Sequence, residues 1–178
     1  MKRMDILNRA AIAGIAAIGM MASPATASTV KTLCQVEIDA ADAPDLSRRP
    51  DTVGFVKKVD GKVSVFRPNK GGHDELNAEV GMDILAYDAV VTGPNGGLDA
   101  IFTDNSLLSV VPDTCIEISE YTYKPNKKQG SFRMRLGRGV VSVEAGEVAK
   151  LKGDTMSIKV RNDTNLAVTG TRIVIRAK

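Results

Sequence analysis

Histidine, serine and carboxylate side chains are the residues most able to do chemistry, and none of them stands in a catalytic pattern. His73 is the only histidine, so a zinc site would lack a second histidine or the clustered thiolates that it needs. Ser106 lacks the G-x-S-x-G frame of a nucleophile elbow. Asp99 and Asp104 fall on opposite faces of an extended strand, which weakens a paired-carboxylate interpretation. The sequence therefore predicts no catalytic residue, no metal site and no cofactor.

Two further stretches have the composition of ligand-binding loops without their spacing. The glycine-rich stretch 93–97 lacks the G-x-x-x-x-G-K-[ST] pattern of a phosphate-binding loop, and the segment after it is patterned as a strand rather than a helix. An acidic stretch lacks the glycine and closing glutamate of a calcium loop. Its aspartates are Asp39, Asp42, Asp45 and Asp51. We interpret the first stretch as a hairpin connection and the second as a solvated acidic segment.

A cluster of basic residues is the one candidate for a binding patch. Its members fall within fifteen residues without an acid between them: Lys124, Lys127, Lys128, Arg133, Arg135 and Arg138. If the strand 131–136 buries Phe132, its arginines face outward beside the lysine loop. Tyr121 and Tyr123 share one parity and could add an aromatic platform. Such a cationic face would bind anionic envelope polymers or an acidic protein surface. The alternative is a solvated strand face balanced by acids elsewhere.

The first 27 residues have the pattern of a signal peptide. Basic residues precede the apolar run 10–22, which is shorter than the roughly 20 residues that a membrane helix needs. The small residues at 25–27 predict cleavage between Ala27 and Ser28; the alternative is a retained helix. Cleavage removes three basic residues and one acid, so the formal charge falls from +3 to +1 and gives nucleic-acid binding no support. We expect a periplasmic or secreted product without a membrane anchor.

Two cysteines, Cys34 and Cys115, remain after the predicted cleavage. An even pair in an oxidising compartment predicts one disulfide, which would join the N-terminal segment to the strand after Pro112. In the chain-entropy model this bond stabilises the fold by on the order of 4 kcal/mol. Two free thiols or a redox pair are the alternatives, although no C-x-x-C motif is present.

Short apolar runs, separated by Gly, Pro and Asn at about ten-residue spacing, predict an all-β class. We expect a leader at 28–51 and then one compact domain at 52–178, with about nine to twelve short strands and no long helix. Asp60-Gly61 between two apolar runs predicts a hairpin, and so does the stretch 93–97. Apolar residues alternate with polar ones at 131–136, as in a half-buried strand. Sandwich, roll and short solenoid all remain possible architectures.

Several short motifs occur in a fixed order between residues 52 and 172. They include G-F-V-K-K-V at 54–59, Y-D-A-V-V-T-G at 87–93, F-T-D-N-S at 102–106 and S-F-R-M-R-L at 131–136. Together they resemble the FecR-like domain of bacterial envelope proteins. The turns of the resemblance contain Asp88, Gly93, Asn95, Gly96, Asp104, Ser106 and Gly170. Asn105 stands where the family usually has glycine, and asparagine also tolerates the left-handed conformation.

The resemblance implies a domain that works in the cell envelope. Larger members join a cytoplasmic anti-sigma segment and a membrane helix to this periplasmic domain, and this chain resembles the periplasmic domain alone. Direct control of a sigma factor is therefore not expected. We predict a non-enzymatic module that recognises another envelope protein through strand edges and turns. The alternative is a peptidoglycan- or polysaccharide-binding module that uses the tyrosines and the basic cluster.

Overall fold

The computed structural model describes residues 29–31, 34, 37–39, 51–153, 155–161 and 164–178. The predicted signal peptide, its cleavage site at Ala27 and Ser28, and most of the leader 28–51 lie outside the described residues. Within the described ranges, no helix is long and apolar enough to cross a membrane.

The regular secondary structure of the described residues is almost entirely strand, which confirms the all-β class. The strands are β1 (Thr29–Lys31), β2 (Glu37–Asp39), β3 (Thr52–Asp60), β4 (Val63–Asn69), β5 (Gly72–Asn77), β6 (Asp83–Leu85), β7 (Ala89–Thr92), β8 (Gly97–Phe102), β9 (Leu107–Val110), β10 (Cys115–Lys124), β11 (Gln129–Glu144), β12 (Met156–Val160), β13 (Thr164–Ala167) and β14 (Arg172–Ala177). Short 3-10 turns lie at Pro125–Lys127 and Val148–Lys150.

Strands β3–β14 form one curled sheet, and β1 pairs with β2 separately. The sheet has two halves because β11 changes partners along its length. Its first part pairs with β10 and, in parallel, with β12; its second part pairs with β9 and β14. Sheet half I has the strand order β6-β3-β8-β9-β11-β14, and sheet half II has the order β5-β4-β7-β10-β11-β12-β13. The curl corresponds to the roll among the predicted architectures.

The hydrophobic core lies inside the curl, where both halves contribute to one cluster. The predicted alternation at 131–136 is confirmed, because Phe132, Met134 and Leu136 are all buried. The ring of Phe132 lies 4.4 Å from that of Phe102 and 5.0 Å from that of Tyr121, measured between ring centroids. Because Phe102 lies on β8 of half I and Tyr121 lies on β10 of half II, this aromatic contact joins the two halves across the core. Burying one large apolar side chain stabilises a fold by about 1.5–3 kcal/mol.

The predicted hairpin at Asp60-Gly61 is wrong. Strand β3 pairs with β6 and β8 in half I, whereas β4 pairs with β5 and β7 in half II. Gly61 has a φ of +60°, and a Cβ added there would collide with the carbonyl oxygen of Asn95. The Asp-Gly pair permits a positive φ, and both a hairpin turn and a corner between two sheet halves can require one.

The stretch 93–97 is also a corner rather than the predicted hairpin. It connects β7 in half II to β8 in half I, and these strands do not pair. The Gly93 amide donates to the carbonyl of Lys62 at 2.9 Å, and the Asp113 amide donates to the carbonyl of Gly93 at 3.2 Å. Three passages between the halves, at 60–63, 92–97 and 110–115, thus lie side by side at one end of the sheet. Their backbone groups satisfy one another there.

A further corner lies inside β11, at Gly139, which has a φ of +92°. A Cβ at this position would overlap the side chain of Thr114, so only glycine fits. The Thr114 hydroxyl accepts from the Val140 amide at 3.0 Å and donates to the Val140 carbonyl at 3.2 Å. These bonds hold the bend that allows one strand to serve both halves.

Two other turns join strands that pair with each other. The turn at 104–106 joins β8 to β9 in a hairpin, with Ile101 opposite Leu107, and Asn105 adopts the expected left-handed conformation. Strands β4 and β5 form a second hairpin, in which β4 ends at Asn69 and β5 begins at Gly72. Strand β5 is almost fully exposed and polar, so it lacks the apolar alternation that would have predicted it.

The predicted disulfide between Cys34 and Cys115 is confirmed, with a Cα–Cα distance of 5.5 Å. Both cysteines pack with Ala89, Phe66 and Val91 in a small cluster of their own. The bond therefore attaches the N-terminal segment to half II.

Candidate interaction surfaces

One cross-strand row on the outer face of half I is apolar. Phe55 lies opposite Ile101, Ile101 lies opposite Leu107, and Leu107 lies opposite Glu144. The neighbours of these residues in sequence, such as Ala100 and Leu108, point into the core, so the row must point outward. The side chain of Phe55 keeps 48% of its surface exposed. Together with the partly exposed Ile101 and Leu107, it forms a contiguous apolar row, and exposed contiguous apolar surface marks interaction sites.

A second row beside the first contains small polar residues. Asp99 lies opposite Ser109, Ser109 opposite Ser142, and Ser142 opposite Val174. The small serine side chains leave a cleft of about 430 Å³, with lysines of β3 at one end and Arg172 at the other. Val174 is 66% exposed. This face thus offers apolar contact on both sides of a polar floor, which suits a protein surface with exposed apolar side chains.

The basic cluster predicted from the sequence does not form one face. Arg133 pairs with Glu120 at 3.0 Å, and Arg135 pairs with Glu117 at 2.9 Å, because each glutamate is the register partner of its arginine on β10. The expectation that Arg135 faces solvent is wrong, since only 8% of the residue is exposed. Two of the six predicted charges are therefore neutralised within the ladder.

The remaining basic residues separate to the two ends of the strand. Lys124, Lys127 and Lys128 are exposed around the hairpin between β10 and β11. Arg138 lies at the opposite end, beside the disulfide, in a cleft of about 410 Å³. Arg161 and Lys178 line the same cleft. Sequence reasoning missed these two cations because only the fold brings the ends of β12 and β14 to Arg138.

The aromatic platform expected at Tyr121 is also wrong. Its residue exposure is 9%, and its hydroxyl lies 2.8 Å from the Thr103 hydroxyl and accepts from the Asp104 amide at 3.0 Å. Burial of the phenol raises the pKa of Tyr121. A register shift in β10 between Ile118 and Glu120 reverses the parity, so Tyr121 faces the core although Cys115 faces outward. Tyr123 is only half-buried.

The family model described as "FecR protein" matches residues 88–178, which is just over half of the chain. The chain belongs to the FecR family. FecR domains are typically associated with the cell envelope, and the family is related to signalling. The match begins at Asp88, directly before β7, and runs through β14. No curated protein and no solved structure matches the chain.

The FecR motif around Asp104 is a buried hydrogen-bond centre. Its carboxylate accepts from the amide and hydroxyl of Ser106, at 3.1 and 2.7 Å, and from the amide of Val148 at 3.1 Å. The Tyr121 hydroxyl donates to it at 3.2 Å. A carboxylate with this many donors has no free position for a substrate. We conclude that this motif holds the β8–β9 turn against the turn at Val148–Lys150.

The second motif aspartate, Asp88, has the same structural character. Arg67 binds it through two nitrogens, at 3.0 and 2.8 Å, and the Leu85 amide donates to it at 2.9 Å. The hydrogen bond to Asp88 raises the pKa of Arg67. The pair thus links β4 to the turn that precedes β7.

The other motif residues also lie in turns and corners. Gly93 and Gly96 pack against the backbone of Lys62, and Asn95 is exposed beside them. Gly170 is exposed between β13 and β14. His73 is exposed on β5. Across the part of the chain that the structure describes, no group of three or more His, Cys, Asp or Glu side chains is placed to hold a metal ion.

Proposed function

We propose that this protein is an exported, non-enzymatic interaction module of the bacterial envelope that binds another envelope protein. The observation that carries the proposal is the uncovered apolar row on half I, with Phe55 at its most exposed position. Membership of the FecR family supports an envelope setting. The motif aspartates support a non-catalytic role, because both are fully engaged in holding turns.

Phe55 has the properties of an interface anchor. It is a large rigid side chain on a strand whose partners on both sides are fixed by pairing, opposite Ile101 on one and Asp83 on the other. Aromatic anchors of this kind dominate the binding energy of many interfaces, while polar residues at the rim add specificity. Asp83 and Glu144 would form such a rim at the two ends of the apolar row.

The polysaccharide-binding alternative loses its platform. Tyr121 is in the core, and Arg133 and Arg135 are paired with glutamates on the neighbouring strand. These positions therefore offer a glycan neither an aromatic ring to stack on nor an unpaired guanidinium group. These contacts favour half I as the proposed binding surface.

Site-specific photo-crosslinking in intact cells tests the proposal. A benzophenone side chain replaces Phe55 in one variant and the exposed Lys70, at the β4–β5 hairpin, in a control variant. We expect one recurrent protein adduct from position 55 and none from position 70. Equal adduct patterns from the two positions, or adducts to cell-wall polymer without protein, would contradict the proposal.

A further inference from the structure

The outer edge of β14 is an unpaired strand edge. In the described residues β14 pairs only with β11, so a row of backbone amide and carbonyl groups is available on its other side. The side chains alternate along the strand: Ile175 and Ala177 are buried, and Arg172, Val174 and Arg176 are exposed. The strand is therefore already fixed in the conformation that strand addition requires.

The charges along this edge define which strand can add. Arg172 and Arg176 flank Val174 at alternate positions on the outward face. Arg172 lies opposite Glu144 on β11, but the β11 partner of Arg176 is the uncharged Val140. The positive charge is thus least balanced toward the C-terminal end of β14.

A second observation at the same end points to an anionic occupant. The cleft beside the disulfide is lined by Arg138, Arg161 and Lys178, and Lys178 directly follows β14. Arg161 donates to the main-chain oxygen of Lys178, which holds the two cations at the end of the strand. None of the described side chains that line the cleft is acidic, and since Arg161 is already engaged by Lys178, Arg138 and the Lys178 ammonium group carry the free positive charge. A carboxylate that continues an added strand past Arg176 would meet these two groups.

A second copy of the chain fits this edge poorly. A two-fold antiparallel pair centred on Val174 would use the whole strand, and it would place Arg172 of each copy opposite Arg176 of the other. Like charges directly opposite each other destabilise a ladder.

We infer that β14 accepts an extended segment of an envelope partner in which an apolar residue faces Val174 and carboxylates two positions to either side face the two arginines. The inference rests on the proposed function and specifies its partner. Backbone hydrogen bonds would provide affinity, and the alternation of acid, apolar residue and acid would provide specificity. The added strand would extend half I beside the exposed Val174 and the cleft at Ser142.

Two fluorescein-labelled peptides test this inference: Thr-Glu-Thr-Val-Thr-Glu-Thr and the same peptide with lysine in place of glutamate. We expect the glutamate peptide to bind, and the charge reversal R172E/R176E to weaken its binding roughly tenfold while strengthening that of the lysine peptide. The control K70E/K152E changes the net charge equally at exposed lysines outside β14 and should leave this preference unchanged. Hydrogen exchange of the β14 amides should slow when the glutamate peptide is bound.

The inference would be overturned if the glutamate peptide does not bind, if R172E/R176E leaves its affinity unchanged, or if β14 exchange does not slow. Slower β14 exchange at higher concentration of the protein alone would identify a second copy as the occupant and would also overturn it. If a benzophenone at position 55 still crosslinks a partner protein when any of these results is obtained, the proposed function stands and only strand addition is rejected. If no partner adduct forms at position 55, the proposed function is rejected, and the peptide experiment still tests strand addition by itself.

Discussion

The outer faces of the two sheet halves are built from strands in the same way, but they differ in which side chains they expose. On half II, the disulfide fixes Cys34 against Cys115, and the Glu117–Arg135 ion pair is withdrawn from solvent. On half I, Phe55 and Val174 are exposed on either side of a serine-lined cleft. Among the described residues, half II thus has a covalent attachment and internal charge pairing, whereas half I keeps two large apolar side chains exposed.

This difference shows that strand alternation defines the two faces without determining what covers them. On half II, two ion pairs within the ladder neutralise Arg133 and Arg135, and a bond across 81 residues attaches Cys34 to Cys115. Half I has no comparable attachment among the described residues. The proposed binding role therefore rests on half I, and the sharpest experiments disturb one face while the other serves as the reference.

Removing the disulfide should have the largest effect. The variant C34S/C115S should lose about 4 kcal/mol of unfolding free energy, because the bond closes a long loop in the unfolded chain. Urea denaturation of the oxidised protein and the variant measures the difference. The reduced native protein is the matched control and should unfold with the variant. A loss below about 1 kcal/mol would mean that the attachment to half II is not a major source of stability.

Breaking the buried ion pair of half II should have the next largest effect. Glu117→Ala leaves Arg135 charged and buried, which should cost about 3 kcal/mol. The same change at Glu120, whose pair with Arg133 is exposed on the same two strands, should cost less than about 1 kcal/mol.

The double variant E117M/R135M sharpens this result. One carboxylate oxygen of Glu117 is buried without a hydrogen-bond partner, so the pair is incompletely compensated. We therefore expect the double variant to recover most of the loss in urea denaturation. Equal costs for Glu117→Ala and Glu120→Ala would show that Arg135 is not withdrawn from water.

The elements that the sequence predicts correctly are those set by local pattern. Alternation identifies the strand at 131–136, and the pair of cysteines identifies the disulfide. The Asp60-Gly61 corner could not be distinguished from a hairpin, because positive φ is permitted by the same residues in both. Whether the flanking strands pair depends on contacts with β8 and β7, which are distant in sequence.

The candidate site was harder to predict for the same reason. A register shift in β10 turned Tyr121 inward, and no pattern in the sequence marks it. The burial of Arg135 depends on Glu117, which lies on the opposite strand. Phe55 belongs to the motif G-F-V-K-K-V at 54–59, but its exposure depends on the order of strands in half I. Composition and periodicity therefore predict the fold class, whereas the surface requires the topology.

The inward side of half II predicts a pH effect. Burial raises the pKa of Tyr121, so the folded state holds the neutral phenol while the unfolded chain ionises near pH 10. Stability from this group is fully present below the unfolded pKa and is lost as pH rises through and above it. Among the three tyrosines, one should resist ionisation in an ultraviolet titration until the protein unfolds. Tyr121→Phe should remove that resistant step, and its persistence in the variant would assign it to another tyrosine.

Changing the uncovered face should affect stability least and binding most. Phe55→Ser removes an aromatic ring that is already half in water, so the unfolding free energy should change by less than about 1 kcal/mol. A photo-crosslinker placed at Ile101, the register neighbour of Phe55, measures how much partner is captured. If the ring is an anchor, the yield of the partner adduct should fall at least about tenfold when Phe55 is changed to serine. Phe55→Leu should retain most of the capture, because it keeps the apolar contact. If Phe55→Ser instead unfolds the protein while capture per folded molecule is unchanged, Phe55 supports the fold and the face on half I is not where the partner binds.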